Sequence, residues 1–246
     1  MLVRDVQPVI LAGGRGTRLL RRLPHLPKPM APAAGRPFVE WIVRNLARGG
    51  FSRVLLSTGH LADRIEDHFA GRPVDGVEVR CIREKAPLGT GGALLHALEQ
   101  SGLTSPAWLV LNGDSLVFVD WADLLSRLDR PETDGIVVAR RVDDVGRFGS
   151  LRCDEAGRLA AFEEKCLDRR GSGLINAGIY LLRERLLAEC PPKRPLSFEQ
   201  DLFPEWLLAG RRLEVHAVKT EFLDIGTEET LAQVDAFIHR NEGRFR

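Results

Sequence analysis

Cysteine is scarce and scattered in this chain. Cys81, Cys153, Cys166 and Cys190 never form a Cys-x-x-Cys pair, which argues against both a zinc site and a disulfide framework. An excess of one charge is missing as well, because 35 Lys and Arg against 34 Asp and Glu leave +1. Nothing global therefore pulls the chain toward nucleic acid or an anionic membrane, and any basic site must be local. Long apolar runs are absent, since stretches such as 9–12 and 108–111 fall far short of the roughly 20 residues that span a bilayer. Residues 1–12 contain Asp5, Gln7 and Pro8 where a signal peptide needs an unbroken apolar core, so export is not expected. The histidines, His25, His60, His68, His96, His216 and His239, show no metal-ligand spacing. Internal repeats, low-complexity segments and an interdomain linker are lacking too. The expectation is a reduced, cytoplasmic protein without a nucleic-acid or membrane partner, and association into a homo-oligomer stays open.

What is present is the material of a packed domain. The 246 residues are 44% hydrophobic and 28% charged, ordinary for a globular chain of one core. The apolar run 9–12 breaks off at Gly13-Gly14-Arg15-Gly16, the pattern of a buried strand followed by a glycine loop. Pro37 opens a helix with Phe38, Trp41, Ile42 and Leu46 on one face, and Gly49-Gly50 stops it. A strand over 53–58, a helix carrying Leu61, Ile65 and Phe69, and a strand over 77–82 follow. Beyond a glycine-rich turn at 88–92 the pattern predicts a helix over 93–99, a strand over 108–112, a helix over 121–128 and a strand over 136–140. Such alternation implies a largely parallel sheet with helices on both faces, whose ligands bind beyond the carboxyl ends of the strands.

The second half changes character. Segments 150–152 and 159–162 flank the turn Asp154-Glu155-Ala156-Gly157 and predict a β-hairpin inserted on the substrate side. A long strand over 174–182 follows, then Ser197-Phe198-Glu199-Gln200, a capping box opening a helix that Pro204 must kink or split. A strand over 213–218 and a final helix from Thr227 to Asn241 complete the pass.

The strongest chemical signal is Leu11-Ala12-Gly13-Gly14-Arg15-Gly16-Thr17-Arg18-Leu19, followed by Lys28-Pro29. Glycines admit a ligand close to the backbone, and successive N–H groups can cradle phosphate oxygens. Arg15, Arg18, Arg21, Arg22 and Lys28 supply a cation density suited to a triphosphate, each charge-assisted hydrogen bond contributing about 1.5 to 3 kcal/mol. A Walker loop would end in Gly-Lys-Ser/Thr where this one has Gly16-Thr17-Arg18. A dinucleotide fingerprint would place glycine or alanine where Leu19 stands. The competing reading is a tight strand-to-helix turn with solvated arginines.

The segment closely resembles the signature of the sugar-1-phosphate nucleotidyltransferase family, an LxxGxGTRL stretch and then Lys-Pro, and the likeness extends over nearly the whole chain. That resemblance implies an α/β fold of the GT-A-like nucleotide-diphospho-sugar transferase kind: a Rossmann-like, mostly parallel central sheet with helices on both faces and a small hairpin on the substrate side. It implies a single domain over 1–246, with 1–145 mainly holding the nucleotide and 146–246 mainly the sugar phosphate. It also implies the site. Leu11, Ala12, Gly13, Gly14, Arg15, Gly16 and Thr17, with Gly113, would bind the nucleotide, and Leu88, Gly89, Thr90 and Gly91 would meet its base. Arg18 and Lys28 would be catalytic. Asn112, Glu164, Lys165, Asn176 and Gly178 would hold the sugar 1-phosphate, and Asp114 and Asp224 would bind Mg²⁺, an ion that requires hard oxygen ligands. Each has a plainer reading: Asp114 as a turn-former or cap, Lys165 as a surface lysine, Asn176 as a satisfied core amide.

Within the family, 28–32, 87–92 and 197–199 are most similar to members that use GTP and a heptose 1-phosphate. Mannose 1-phosphate guanylyltransferases, and uridylyl- or thymidylyltransferases acting on hexose or N-acetylmuramate 1-phosphates, share most of these residues. Many relatives append a β-helix, whereas this sequence stops after the 227–241 helix, so a second activity is not expected. A non-catalytic, nucleotide-sugar-sensing subunit would be expected to lose one of Arg18, Lys28, Asp114 or Asp224. A metal-dependent glycosyltransferase would show Asp-x-Asp, but here Asp114 is followed by Ser115 and Leu116.

Overall fold

The computed structural model describes residues 1–19, 21–163, 170–191 and 195–245. In chain order the regular elements are β1 (Val6–Leu11), β2 (Pro32–Ala33), β3 (Arg36–Pro37), α1 (Phe38–Arg48), β4 (Arg53–Thr58), α2 (Ala62–Phe69) and β5 (Glu78–Arg83). They continue with α3 (Gly89–Ser101), β6 (Ala107–Asn112), β7 (Ser115–Val117), α4 (Trp121–Arg127), β8 (Gly135–Val142), β9 (Ser150–Cys153) and β10 (Leu159–Glu163). The last are β11 (Gly173–Arg183), α5 (Glu184–Leu187), α6 (Phe203–Leu208), β12 (Leu213–Val218), β13 (Phe222–Asp224), α7 (Glu228–Ala232) and α8 (Val234–Arg240).

The central sheet runs β12–β8–β11–β6–β1–β4–β5, and of these only β11 points the opposite way. It is mostly parallel, as the alternation of strands and helices predicts. Its middle strands are apolar on both faces because helices cover both. Ile10, Leu109, Leu111 and Leu181 point into a core with α1, α4 and α8, whereas Val9, Trp108, Val110 and Tyr180 point into a second core with α3 and α6. Each fully buried aliphatic side chain there contributes roughly 1.5 to 3 kcal/mol.

Several expectations change in detail. The 88–92 segment is not a turn but the first turn of α3, which begins at Gly89. The glycines serve packing, because a Cβ on Gly89 would lie 2.3 Å from the Leu196 carbonyl oxygen and one on Gly91 2.6 Å from Leu202. The hairpin β9–β10 forms as expected and also extends the main sheet, since β9 pairs with the first half of β11. Ser197 does cap, accepting from the N–H groups of Glu199 and Gln200, but the reciprocal bond comes from the Asp201 carboxylate, 2.7 Å from Ser197 N. Pro204 ends the wide turn Phe198–Leu202 and opens α6 within its first turn, where its missing N–H costs nothing. The final helix is two, broken at Gln233.

Ile10 is fully buried and Leu208 is 91% exposed, so the two should respond oppositely to truncation. Ile10→Ala is expected to lower stability by about 2 to 5 kcal/mol, and Leu208→Ala to stay within about 0.5 kcal/mol, in chemical denaturation.

Candidate active site

A cleft of about 460 Å³ opens at the carboxyl ends of β1, β5 and β6. Its walls follow from how β1 ends. Ala12 N–H donates to the Ser57 carbonyl at 2.8 Å, the Gly13 carbonyl accepts from His60 N at 3.1 Å, and the Leu11 carbonyl accepts from Gly113 N at 2.9 Å. These bonds lay the glycine loop across the ends of the neighbouring strands and turn it toward the cleft. A Cβ on Gly13 would sit 2.1 Å from the Glu84 carboxylate, so any side chain there would displace that carboxylate from its present place.

Leu11, Ala12, Gly13, Gly14, Arg15, Gly16, Thr17, Arg18, Lys28, Leu88, Gly89, Thr90, Asn112 and Asp114 all line this cavity. Sequence reasoning had drawn these residues from four separated segments, and the fold brings them to one place. Arg15 and Arg18 carry no ion-pair partner among the described residues. Arg22 does not join them, since its guanidinium is bonded to Glu228 at 2.7 Å, outside the cleft. Two predicted nucleotide contacts lie behind the wall. Gly91 is packed against Leu202, and the N–H of Gly113 is engaged by the Leu11 carbonyl, so neither lines the cavity.

Lys28 Nζ lies 2.5 Å from Asp114 Oδ2 and 3.7 Å from Asp224 Oδ1; Lys28 and Asp114 line the cavity, and Asp224 stands next to them without lining it. A short ribbon explains how carboxylates so far apart in sequence meet. β6 ends at Asn112 and the chain turns through Gly113-Asp114 into β7, which pairs antiparallel with β13 so that Asp224 stands opposite Ser115. Ile225 N–H then donates to the Asp114 carbonyl at 3.0 Å. Pro27 precedes the single turn Lys28–Met30, which fixes the lysine stem. Burial pushes the Asp224 carboxyl above its ordinary range and the neighbouring Asp114 charge adds to this, while Lys28 and the Gly226 N–H pull it back. Two hard carboxylates converging on one ammonium form a donor set suited to a divalent cation that takes its remaining ligands from a polyphosphate. Among the described residues no group of three or more His, Cys, Asp or Glu gathers, here or elsewhere, so the protein's own contribution at this point is the two carboxylates.

The predicted sugar-phosphate residues divide. Glu164 and Lys165 lie outside the described residues. Asn176 and Gly178 stand beside the cavity: Gly178 N–H donates to Asn176 Oδ1 at 2.9 Å, and Gly178 packs against the amide of Asn112.

Glu84, Pro87, Ala93, Leu19, Pro29 and Gly226 also line the cleft and are not among the predicted site residues, although Leu19, Pro29 and Pro87 fall inside the motifs that carry the prediction. Glu84 is the consequential omission. It follows β5 immediately, is only 9% exposed, and accepts from Leu88 N–H at 3.3 Å. Burial raises its pKa, against a smaller lowering by that backbone N–H. Its place just after a strand of the parallel sheet was the available signal.

With this geometry in place, the chain can be set beside known proteins. It belongs to the nucleotidyl transferase family, whose model matches residues 7–241. It is 33% identical over 226 residues to the D-glycero-alpha-D-manno-heptose 1-phosphate guanylyltransferase of Campylobacter jejuni, covering 91% of this chain and 96% of that one. Mannose-1-phosphate guanylyltransferase of Mycobacterium tuberculosis is 32% identical over 241 residues, 98% of this chain and 66% of the relative. Among solved structures, HddC of Yersinia pseudotuberculosis complexed with GMP-PN superposes with a TM-score of 0.83 at 32% identity, covering 94% of this chain and 99% of that one.

Removing the ammonium between the two carboxylates should raise the Asp224 pKa further. Carbon-detected titration of Lys28→Met is expected to show that rise, and an unchanged Asp224 titration would mean the lysine does not set the local field.

Proposed function

We propose that this protein transfers the guanylyl group of GTP to a sugar 1-phosphate, with D-glycero-α-D-manno-heptose 1-phosphate as its sugar substrate, giving GDP-heptose and pyrophosphate for surface-glycan synthesis. It would do so in the cytoplasm as one nucleotidyltransferase domain over 1–246, with 1–145 mainly serving the nucleotide and 146–246 mainly the sugar phosphate. The observation that carries the reading is the convergence of Lys28, Asp114 and Asp224 beside a cleft walled by the glycine loop, with Lys28 and Asp114 in its lining. The similarity to the heptose 1-phosphate guanylyltransferase supports the choice of substrates.

In this reading residues 11–17 line the nucleotide, the backbone N–H groups of residues 13–17 hold its phosphates, and Arg18 neutralises the departing pyrophosphate. Lys28 stabilises the charge that builds between the two substrates. The sugar phosphate, held by Asn112, Glu164, Lys165, Asn176 and Gly178, is already a competent nucleophile and needs no general base. Alignment and electrostatics then supply the catalysis for in-line displacement at the α-phosphorus. Asp114 and Asp224 would hold Mg²⁺, which supplies charge neutralisation on the triphosphate when bound.

Glu84 supports guanine as the base. A carboxylate accepts hydrogen bonds and donates none. Guanine presents adjacent N1–H and N2–H donors on its pairing edge, whereas on the pairing edges of uracil and thymine the single N3–H donor is flanked by carbonyl acceptors, which a carboxylate repels. Mannose 1-phosphate is the second reading for the sugar, favoured by the mycobacterial relative that matches 98% of this chain.

Pyrophosphate release from a matrix of four NTPs against several sugar 1-phosphates, with Mg²⁺, tests the assignment, and GTP with the heptose 1-phosphate is expected to win. Lys28→Ala and Asp114→Ala should each lower kcat/KM by about 10²- to 10³-fold with the unfolding transition preserved, and near-normal turnover in both would overturn the reading. Glu84→Gln, offering one donor and one acceptor, should narrow the preference for GTP over UTP by about tenfold or more.

Glu84 also gives a pH signature. Guanine needs the ionised carboxylate, and the raised pKa means that this form is lost on acidification sooner than for an ordinary glutamate. The KM for GTP should therefore rise as pH falls through that pKa in the wild type. In Glu84→Gln, which cannot titrate, this component should be missing.

A further inference from the structure

Behind the cleft runs a chain of hydrogen bonds in which every hydroxyl points toward one carboxylate. Asn176 Nδ2 donates to the Tyr180 hydroxyl at 2.6 Å, and that hydroxyl donates to Glu199 Oε1 at 3.1 Å. The Thr90 hydroxyl donates to Glu199 Oε2 at 3.2 Å and itself accepts from Phe198 N–H at 2.9 Å. The Ser197 hydroxyl also donates to Oε2, at 2.9 Å. Tyr180 is fully buried, and its phenol is kept protonated first by that burial and then by the Glu199 charge, so it remains a donor. At the other end Asn176 Oδ1 accepts from Gly178 N–H at 2.9 Å, and Gly178 rests on the Asn112 amide.

This chain joins two regions that share no strand pairing. Thr90 lies in the first turn of α3 on the base side of the cleft, whereas Asn176, Gly178 and Asn112 lie on β11 and β6 on the sugar side. We propose that Glu199 is a positioning residue, a two-armed anchor that holds Thr90 with one carboxylate oxygen and, through Tyr180, Asn176 with the other, so fixing the base-side and sugar-side walls relative to each other. The arrangement has a direction. Because Asn176 is engaged at its oxygen by Gly178 and at its nitrogen by Tyr180, its amide cannot flip without breaking both bonds. The proposal rests on the assignment of base and sugar sides made above.

Separate arms give separable defects. With GTP and a sugar 1-phosphate that turns over, Thr90→Val is expected to raise the KM for GTP about tenfold and leave that for the sugar phosphate within about twofold. Tyr180→Phe should do the reverse. Glu199→Gln, which sets an NH₂ donor against hydroxyl donors, should raise both KM values, while Thr90→Ser, which keeps the hydroxyl, should restore the wild-type values. Unfolding midpoints are recorded alongside. A merely structural role would raise both KM values together in Thr90→Val and in Tyr180→Phe, in step with lost stability, and that result would overturn the proposal. So would a Glu199→Gln variant with wild-type KM values. A wild-type chain that releases no pyrophosphate with any substrate pair would instead sink the functional reading beneath it.

Discussion

Lys28 sits between two carboxylates that would otherwise repel each other, and much of the fold can be understood as the means of putting it there. Asp224 is biased toward protonation by burial and by Asp114, and the ammonium, 2.5 Å from Asp114 and 3.7 Å from Asp224, reduces that bias. The site is thus an electrostatically unfinished one: two carboxylates and one cation, open to a cleft whose rim carries Arg15 and Arg18 without ion-pair partners among the described residues. Such a site suits a ligand that brings both phosphate oxygens and a divalent cation, because each component answers a charge left unmatched by the protein.

Holding that geometry requires elements from both ends of the chain. β1 and β6 are adjacent and parallel in the sheet, so the glycine loop and the Asn112–Asp114 turn emerge side by side. The β7–β13 ribbon then carries Asp224 back to the same point, and the two cores on either face of the sheet hold the strand ends in place. On the opposite wall α3 is strapped to the segment before Ser197 by Gly92 N–H to the Leu196 carbonyl and Leu196 N–H to the Leu88 carbonyl. That wall thereby depends on residues from the second half of the chain, and the cleft is built across both halves.

The strands were legible because burial on both faces writes unbroken apolar runs, as at 9–12 and 108–112, and the loop was legible because close backbone approach demands glycine. The same rule misled at 88–92. There Gly89 takes a positive φ at the start of the helix, and both Gly89 and Gly91 also mark contact between the helix and its neighbour; a contact with Leu196 or Leu202 leaves no local trace in sequence. The pairing of β9 with β11, which makes the hairpin part of the main sheet, is likewise a long-range fact. Among site residues, those inside motifs could be named, and Arg22 was counted with the cradle only because its partner Glu228 comes from the far end of the chain. Glu84 was overlooked for a related reason: a lone acidic residue at a strand end looks like solvated surface until the structure shows it buried against Gly13 and Leu88.

The central claim is that Asp114 and Asp224 act on one ion. Electron paramagnetic resonance of Mn²⁺, titrated into the wild type and into Asp114→Ala and Asp224→Ala with a non-hydrolysable GTP analogue present, tests it most directly. The account predicts one tight nucleotide-dependent ion in the wild type, weakened in both variants. Full-affinity binding retained in either variant would contradict it.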